Sequence, residues 1–217
     1  MSEGQFNSII SLGSHCEPSD HYRRFFKQEP SSPFDWMITP IPSLLKILED
    51  DGKQFGLKIS PAMDSTSAQC LHYGCLYHHE FDKTPDNRIM ITREALDNCR
   101  DKLSYKYQKM ISIAKNSRPL FVRWVHPAEH PANRDVEDFI FTGNDVSRLI
   151  SLLQEKIGHG NFHIAFIKTD ENKHRLIDEG LLKSIPNISM HSYSELSREV
   201  IDEFWDKFYC KHGFISA

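Results

Sequence analysis

No stretch of this chain is a long apolar run, and its longest fall far short of the roughly 20 residues that a membrane-spanning helix requires. A membrane protein is therefore not expected. It also lacks any run of Lys or Arg: Lys+Arg 26 stand against Asp+Glu 30, for a formal net charge of -4. That balance disfavours a polyanion, and a nucleic-acid partner is not expected. There is no internal repeat and no low-complexity linker. Cysteine is sparse and odd in number, 5 in 217 residues, with no signal-peptide pattern. These are expected to be reduced thiols of a cytoplasmic protein rather than a disulfide framework.

What the chain does have is the composition of a folded domain, 39% hydrophobic and 26% charged. At this length one compact domain over residues 1–217 is expected, with a sizeable core. Four short apolar segments rich in β-branched or aromatic residues read as strands: Ser8-Ile-Ile-Ser-Leu-Gly-Ser14, Pro119-Leu-Phe-Val-Arg-Trp-Val125, Phe162-His-Ile-Ala-Phe-Ile-Lys168 and Ile188-Ser-Met-His-Ser-Tyr193. Between them lie segments with helical spacing, at residues 18–26, 43–50, 93–115, 145–157 and 195–208. The helix at Asp145 has a start signal, Thr142-Gly-Asn-Asp145, and a stop signal, Gly158-His-Gly160. Alternation of strand and helix predicts an α/β domain of three layers with a mainly parallel central sheet. Residues 58–92 break this pattern with Gly, Pro, Cys and His, and read as an irregular excursion or a small hairpin.

The first strand ends in Gly13-Ser-His-Cys16 and runs directly into a helix. Unpaired N–H groups at a helix start create a positive local field, which favours thiolate over thiol and makes Cys16 a candidate nucleophile. Burial of Cys16 as a small apolar residue is the plain alternative. Cysteine catalysis also needs an imidazole, a group to orient it and N–H donors for an oxyanion. The excursion offers His78-His79-Glu-Phe-Asp82, with imidazole and carboxylate close in sequence. Asp35, in the turn Pro33-Phe-Asp-Trp36, is either a second orienting carboxylate or a turn residue bonded to its own backbone.

Gly13, Ser14, His15 and Arg123 are candidate ligand-binding residues, the first three at the strand-to-helix turn and Arg123 at the carboxyl edge of the sheet. Ser14 as an esterase nucleophile is disfavoured, because no Asp-x-x-His pair follows near the C-terminus. Cys70, Cys75 and His78 supply three of four ligands for a structural zinc, and no second ligand pair is evident. The pair His126-Pro-Ala-Glu-His130 carries a proline that argues against a one-face metal helix.

Ile10-Ser-Leu-Gly-Ser-His-Cys16, Ser32-Pro-Phe-Asp-Trp36, His79-Glu-Phe81, Tyr105-Lys-Tyr107 and Leu120-Phe-Val-Arg123, in that order, resemble the landmarks of a bacterial family of unknown function catalogued as putative papain-like cysteine peptidases. The resemblance implies a Cys–His site on Cys16 and His79, with His78 as the alternative. A true papain-like domain starts its catalytic helix from a loop, whereas here a strand precedes Cys16. The architecture is closer to SGNH or flavodoxin-like folds, and resembles SGNH-like capsule-biosynthesis proteins with a cysteine after the first strand. That second resemblance implies coenzyme A or another acyl donor as a ligand; no other cofactor is expected. Hydrolysis of an amide or ester, or transfer of an acyl group, on a small-molecule, saccharide or peptide substrate is the expected chemistry. A non-enzymatic binder of an anionic ligand and a zinc-stabilised interaction module are the alternatives.

Overall fold

The structure, a computed structural model, describes residues 6–29, 32–63, 65–125, 142–170, 182, 185–194 and 197–215. The pair His126 and His130 lies outside them. Among the described residues the elements run β1 (Ser8–Ser11), α1 (Glu17–Phe26), β2 (Met37–Ile38), α2 (Ile41–Glu49), β3 (Ile59–Pro61), β4 (Ala68–Cys70), β5 (Leu76–Tyr77), α3 (Arg93–Lys115), β6 (Pro119–Trp124), α4 (Gly143–Ile157), β7 (His163–Thr169), β8 (Ile188–Tyr193) and α5 (Arg198–Lys211). No helix among them is long and apolar enough to cross a membrane.

The fold is α/β. Strands β1, β6, β7 and β8 form a parallel sheet in the order β1-β6-β7-β8. Alternate side chains of these strands enter two cores on opposite faces, as the period of a pleated strand requires. Phe121, Ile164 and Phe166 pack with α2, α3 and α4, through residues such as Leu44, Leu103 and Leu149. Leu120, Val122, Trp124, Ala165 and Ile167 pack with Phe25 of α1 and with Trp205, Phe208 and Tyr209 of α5. The sheet is thus covered on both faces, which is why every residue of β6, the charged Arg123 included, is buried.

The excursion is more ordered than its sequence suggests. Strands β3, β4 and β5 join β2 in a second, antiparallel sheet with the order β2-β5-β4-β3. Its strands are two or three residues long, too short to show a period, and the core side chains Ala68, Cys70, Cys75, Leu76 and Tyr77 supply the burial instead.

Helix α4 begins with a capping box: the Thr142 hydroxyl accepts from the Asp145 N–H at 3.2 Å, and the Asp145 carboxylate accepts from the Thr142 N–H at 2.9 Å. It ends on Gly158 at φ 79°, the left-handed conformation that glycine adopts without cost. Helix α5 starts three residues later than the sequence suggests, at an N-cap Ser197 whose hydroxyl accepts from Val200 N. Helix α1 is tied to α5 by Arg24, which pairs with Asp202 at 3.1 Å and with Asp206. His21, fully buried, stacks on Trp205 with ring centroids 5.1 Å apart and lies 3.2 Å from Asp202. These contacts fix the helix that follows Cys16.

Candidate functional site

Gly13 turns the chain from β1 toward α1. It sits at φ 81°, and a Cβ there would approach the Arg123 guanidinium to 3.0 Å. The turn is held on both sides: Trp124 N donates to Gly13 O at 2.8 Å, and Thr39 N donates to Ser14 O at 2.9 Å. The Ser14 hydroxyl is buried and donates to Trp124 O at 3.0 Å. It therefore serves the turn and does not face solvent as an esterase serine would. Arg123 does not reach into an open cleft. It is buried beneath the turn and donates to Leu12 O at 2.6 Å and Thr39 O at 2.7 Å, so one guanidinium joins β1 to the segment after β2. Burial pushes its pKa down to about 9.

Beyond the carboxyl end of β1 a cleft of about 410 Å³ is lined by His15, Cys16, Trp36, Met37, Ile38, His78, His79 and Lys83. Cys16 and His15 come from the β1–α1 turn, Trp36 to Ile38 from the approach to β2 and the strand itself, and His78 and His79 from the end of β5. Pairing of Met37 with Tyr77 and of Ile38 with Leu76 is what brings the two histidines to the thiol side. The imidazole in hydrogen-bond contact with the thiol is that of its neighbour: His15 Nδ1 lies 3.2 Å from Cys16 Sγ. The His15 ring is in turn set edge-on to Trp124, with centroids 5.7 Å apart. Across the cleft, His79 stands edge-on to Trp36 at 5.8 Å.

The thiol is not activated in the resting protein by the helix start. Burial, together with Glu17 and to a smaller extent Asp20, pushes its pKa up, against a lowering by its own backbone N–H. The expectation of a favoured thiolate neglected both costs: Cys16 is half-buried, and the first turn of α1 carries two carboxylates.

Residues 7–191 match the family described as "Putative papain-like cysteine peptidase". The chain belongs to this family. No curated protein matches it, and no solved structure does. Within this papain-like peptidase family the chain carries its cysteine after a strand of a parallel sheet.

The remaining candidates lie elsewhere. Asp35 does not line the cleft. It is buried beneath α1, where its carboxylate accepts from the Ser19 hydroxyl at 3.0 Å and stands 3.7 Å from Lys106 Nζ of α3. It faces a narrow internal space shared with Ile10, Tyr22, Met110 and Tyr209. Burial, offset in part by Lys106 and Ser19, raises its pKa to about 7. Asp82 is exposed and is not among the residues that line the cleft.

Cys70 and Cys75 are buried and face each other across the end of the β4–β5 ladder, with Cys70 N donating to Cys75 O at 2.9 Å. A hydrogen bond from Cys75 lowers the Cys70 pKa to about 6, against burial. His78 lines the Cys16 cleft instead of joining them. Among the described residues no group of three or more His, Cys, Asp or Glu side chains could hold a metal ion.

Four cleft residues, Trp36, Met37, Ile38 and Lys83, escaped the sequence reading as site residues. Lys83 follows the His78–Asp82 segment directly but has no motif of its own. Trp36 was visible only as part of a turn, and its place opposite His79 follows from the β2–β5 pairing.

Proposed function

We propose that this protein is a cysteine-nucleophile acyl-transfer enzyme, an amide or ester hydrolase or an acyltransferase, with Cys16 as the nucleophile. The observation that carries this reading is the shared cleft, in which one thiol meets three imidazoles, with His15 already in contact. Cys16 Sγ attacks the substrate carbonyl as its proton passes to the His15 imidazole. A resting thiol with a raised pKa suits such a concerted transfer better than a preformed thiolate pair. His79, on the opposite wall, delivers a proton to the leaving alcohol or amine. The backbone N–H groups of Cys16 and Glu17, ahead of Pro18, receive the negative charge that develops on the carbonyl oxygen. The resulting thioester is resolved by water in a hydrolase, or by an alcohol or amine in a transferase.

The test uses p-nitrophenyl acetate as the acyl donor. The parent protein is expected to release a burst of p-nitrophenolate and to carry an acetyl thioester on Cys16, read by peptide mass spectrometry. Cys16→Ala should abolish both, and His15→Gln should slow acylation by about 10²-fold or more, the usual contribution of a general base. Acylation of Cys16→Ala at the parent rate would overturn the assignment. The upward shift of the thiol favours a second reading, a ligand-binding protein without turnover. That reading takes over if no acyl-Cys16 forms.

A further inference from the structure

The walls of the Cys16 cleft are unequal in charge to the rest of the chain. The protein is acidic overall, with a formal net charge of -4, yet among the described residues that line the cleft there are three imidazoles and one lysine and no Asp or Glu. Glu17 and Asp20, whose charges reach the thiol, are not among the residues that line the cleft, and they and Glu80 each have a basic partner. Glu17 accepts from His21 at 2.9 Å. Asp20 pairs with Arg198 at 2.7 Å and Arg23 at 3.2 Å. Glu80, next to His79 in sequence, is only 5% exposed and pairs with Lys102 at 2.8 Å. At the rim, Arg23 lies over the Trp36 ring, 5.2 Å from its centroid. The Lys83 ammonium and the imidazole N–H groups are donors, and an ammonium, unlike a neutral polar group, discriminates strongly for an anion.

We infer that the Cys16 cleft takes an acyl compound carrying an anionic group, a carboxylate or a phosphate, which is seated between Lys83 and the His78–His79 wall while the acyl carbon meets Cys16. The inference deepens the cysteine reading and rests on it. Lys83 is a binding residue here. Its removal weakens capture of the anion without altering the thiol itself. Attraction of this kind is screened by salt, because Lys83 is exposed.

Two alkylating agents of nearly equal size separate charge from reactivity. Iodoacetate and iodoacetamide both form an S–C bond with Cys16 as iodide leaves and the thiol proton is lost, but only the first is an anion. The ratio of their rates at Cys16, read by peptide mass spectrometry, is compared with the ratio at a small neutral thiol in the same buffer. The expected result is a ratio about tenfold higher at Cys16, within the range of focusing by a charged cleft. It should fall toward the reference in Lys83→Gln and in 0.5 M salt, where the Debye length is about threefold shorter than at 0.05 M. A ratio equal to that of the neutral thiol, with normal iodoacetamide labelling, overturns the anionic substrate and leaves the cysteine reading intact.

Failure of both agents to label Cys16 overturns the cysteine reading. In that event inorganic pyrophosphate is titrated into Cys16→Ser while the histidine side-chain resonances are followed. Saturable shifts at His78 and His79 that vanish in Lys83→Gln retain the anion site. Their absence removes it.

Discussion

At His191, burial and three basic neighbours act in one direction. The ring is edge-on to His212 at 5.5 Å, Lys211 is close in charge, and His163 shares the Ser189 hydroxyl with it, at 2.8 Å and 2.9 Å. Its pKa is pushed from 6.5 down to about 4, with burial the largest cause. The unfolded chain therefore takes up a proton that the folded one refuses. The stability that His191 contributes is complete above pH 6.5 and is lost as the pH falls through about 4. Asp35 has the opposite sign: with its pKa raised from 3.8 to about 7, its contribution is complete below pH 3.8 and is lost as the pH rises through about 7.

Urea midpoints measured from pH 4 to 7 should separate the two effects. Over this range the two slopes oppose each other, so His191→Asn is expected to make the midpoint fall more steeply as the pH rises, and Asp35→Asn to make it rise more steeply with pH. A slope unchanged in either variant would show that the corresponding side chain is not its source. Neither effect was legible in the sequence, because each is set first by burial, and for His191 also by His212 and His163, which the fold brings to it. Cys16 itself was legible, since a glycine between an apolar run and a helix marks such a turn whatever lies around it. The direction of its pKa was not, because the burial that dominates it cannot be counted from spacing.

Among the elements, legibility followed length and caps. The spacing over residues 93–115 gave α3 its observed bounds, Arg93–Lys115, because a long amphipathic helix repeats its signal several times. Helix α4 was legible from its punctuation, and the same punctuation supports a quantitative expectation. Thr142→Ala removes the acceptor for Asp145 N and should cost about 1 kcal/mol, measured as a shift in the denaturant midpoint. Thr142→Ser keeps the hydroxyl and should recover most of the loss. The strands β2 and β5, two residues each, left no such trace. Their pairing is tertiary, and it is what assembles the cleft. The candidate site was therefore half legible: the thiol and the histidines could be named, but Trp36 and Lys83 could not be placed beside them.

Over the whole molecule, one of the two cores extends through both sheets. Cys70, Leu76 and Tyr77 of the antiparallel sheet, Leu44 and Leu48 of α2, Leu103 and Tyr107 of α3, and Phe121 and Phe166 of the parallel sheet belong to the same buried cluster. Continuous packing of this kind predicts that the sheets unfold together. Far-UV circular dichroism and tryptophan fluorescence should give coincident denaturant transitions. Separated transitions would mean that the antiparallel sheet has stability of its own. The alternation of strands and helices made the parallel sheet and its two covered faces predictable. The second sheet was not, since nothing in residues 58–92 repeats.

The cleft lies along the seam between those sheets, with the thiol on one bank and the His78–His79 wall on the other. The cleft thereby draws its lining from two distant parts of the chain. Changes of sequence in the short antiparallel strands and their turns can remould one side of the cleft while the Gly13–Cys16 turn stays as it is. Variation around the cleft is accordingly expected to fall on the short antiparallel strands and their turns, with Cys16 and His79 held in place.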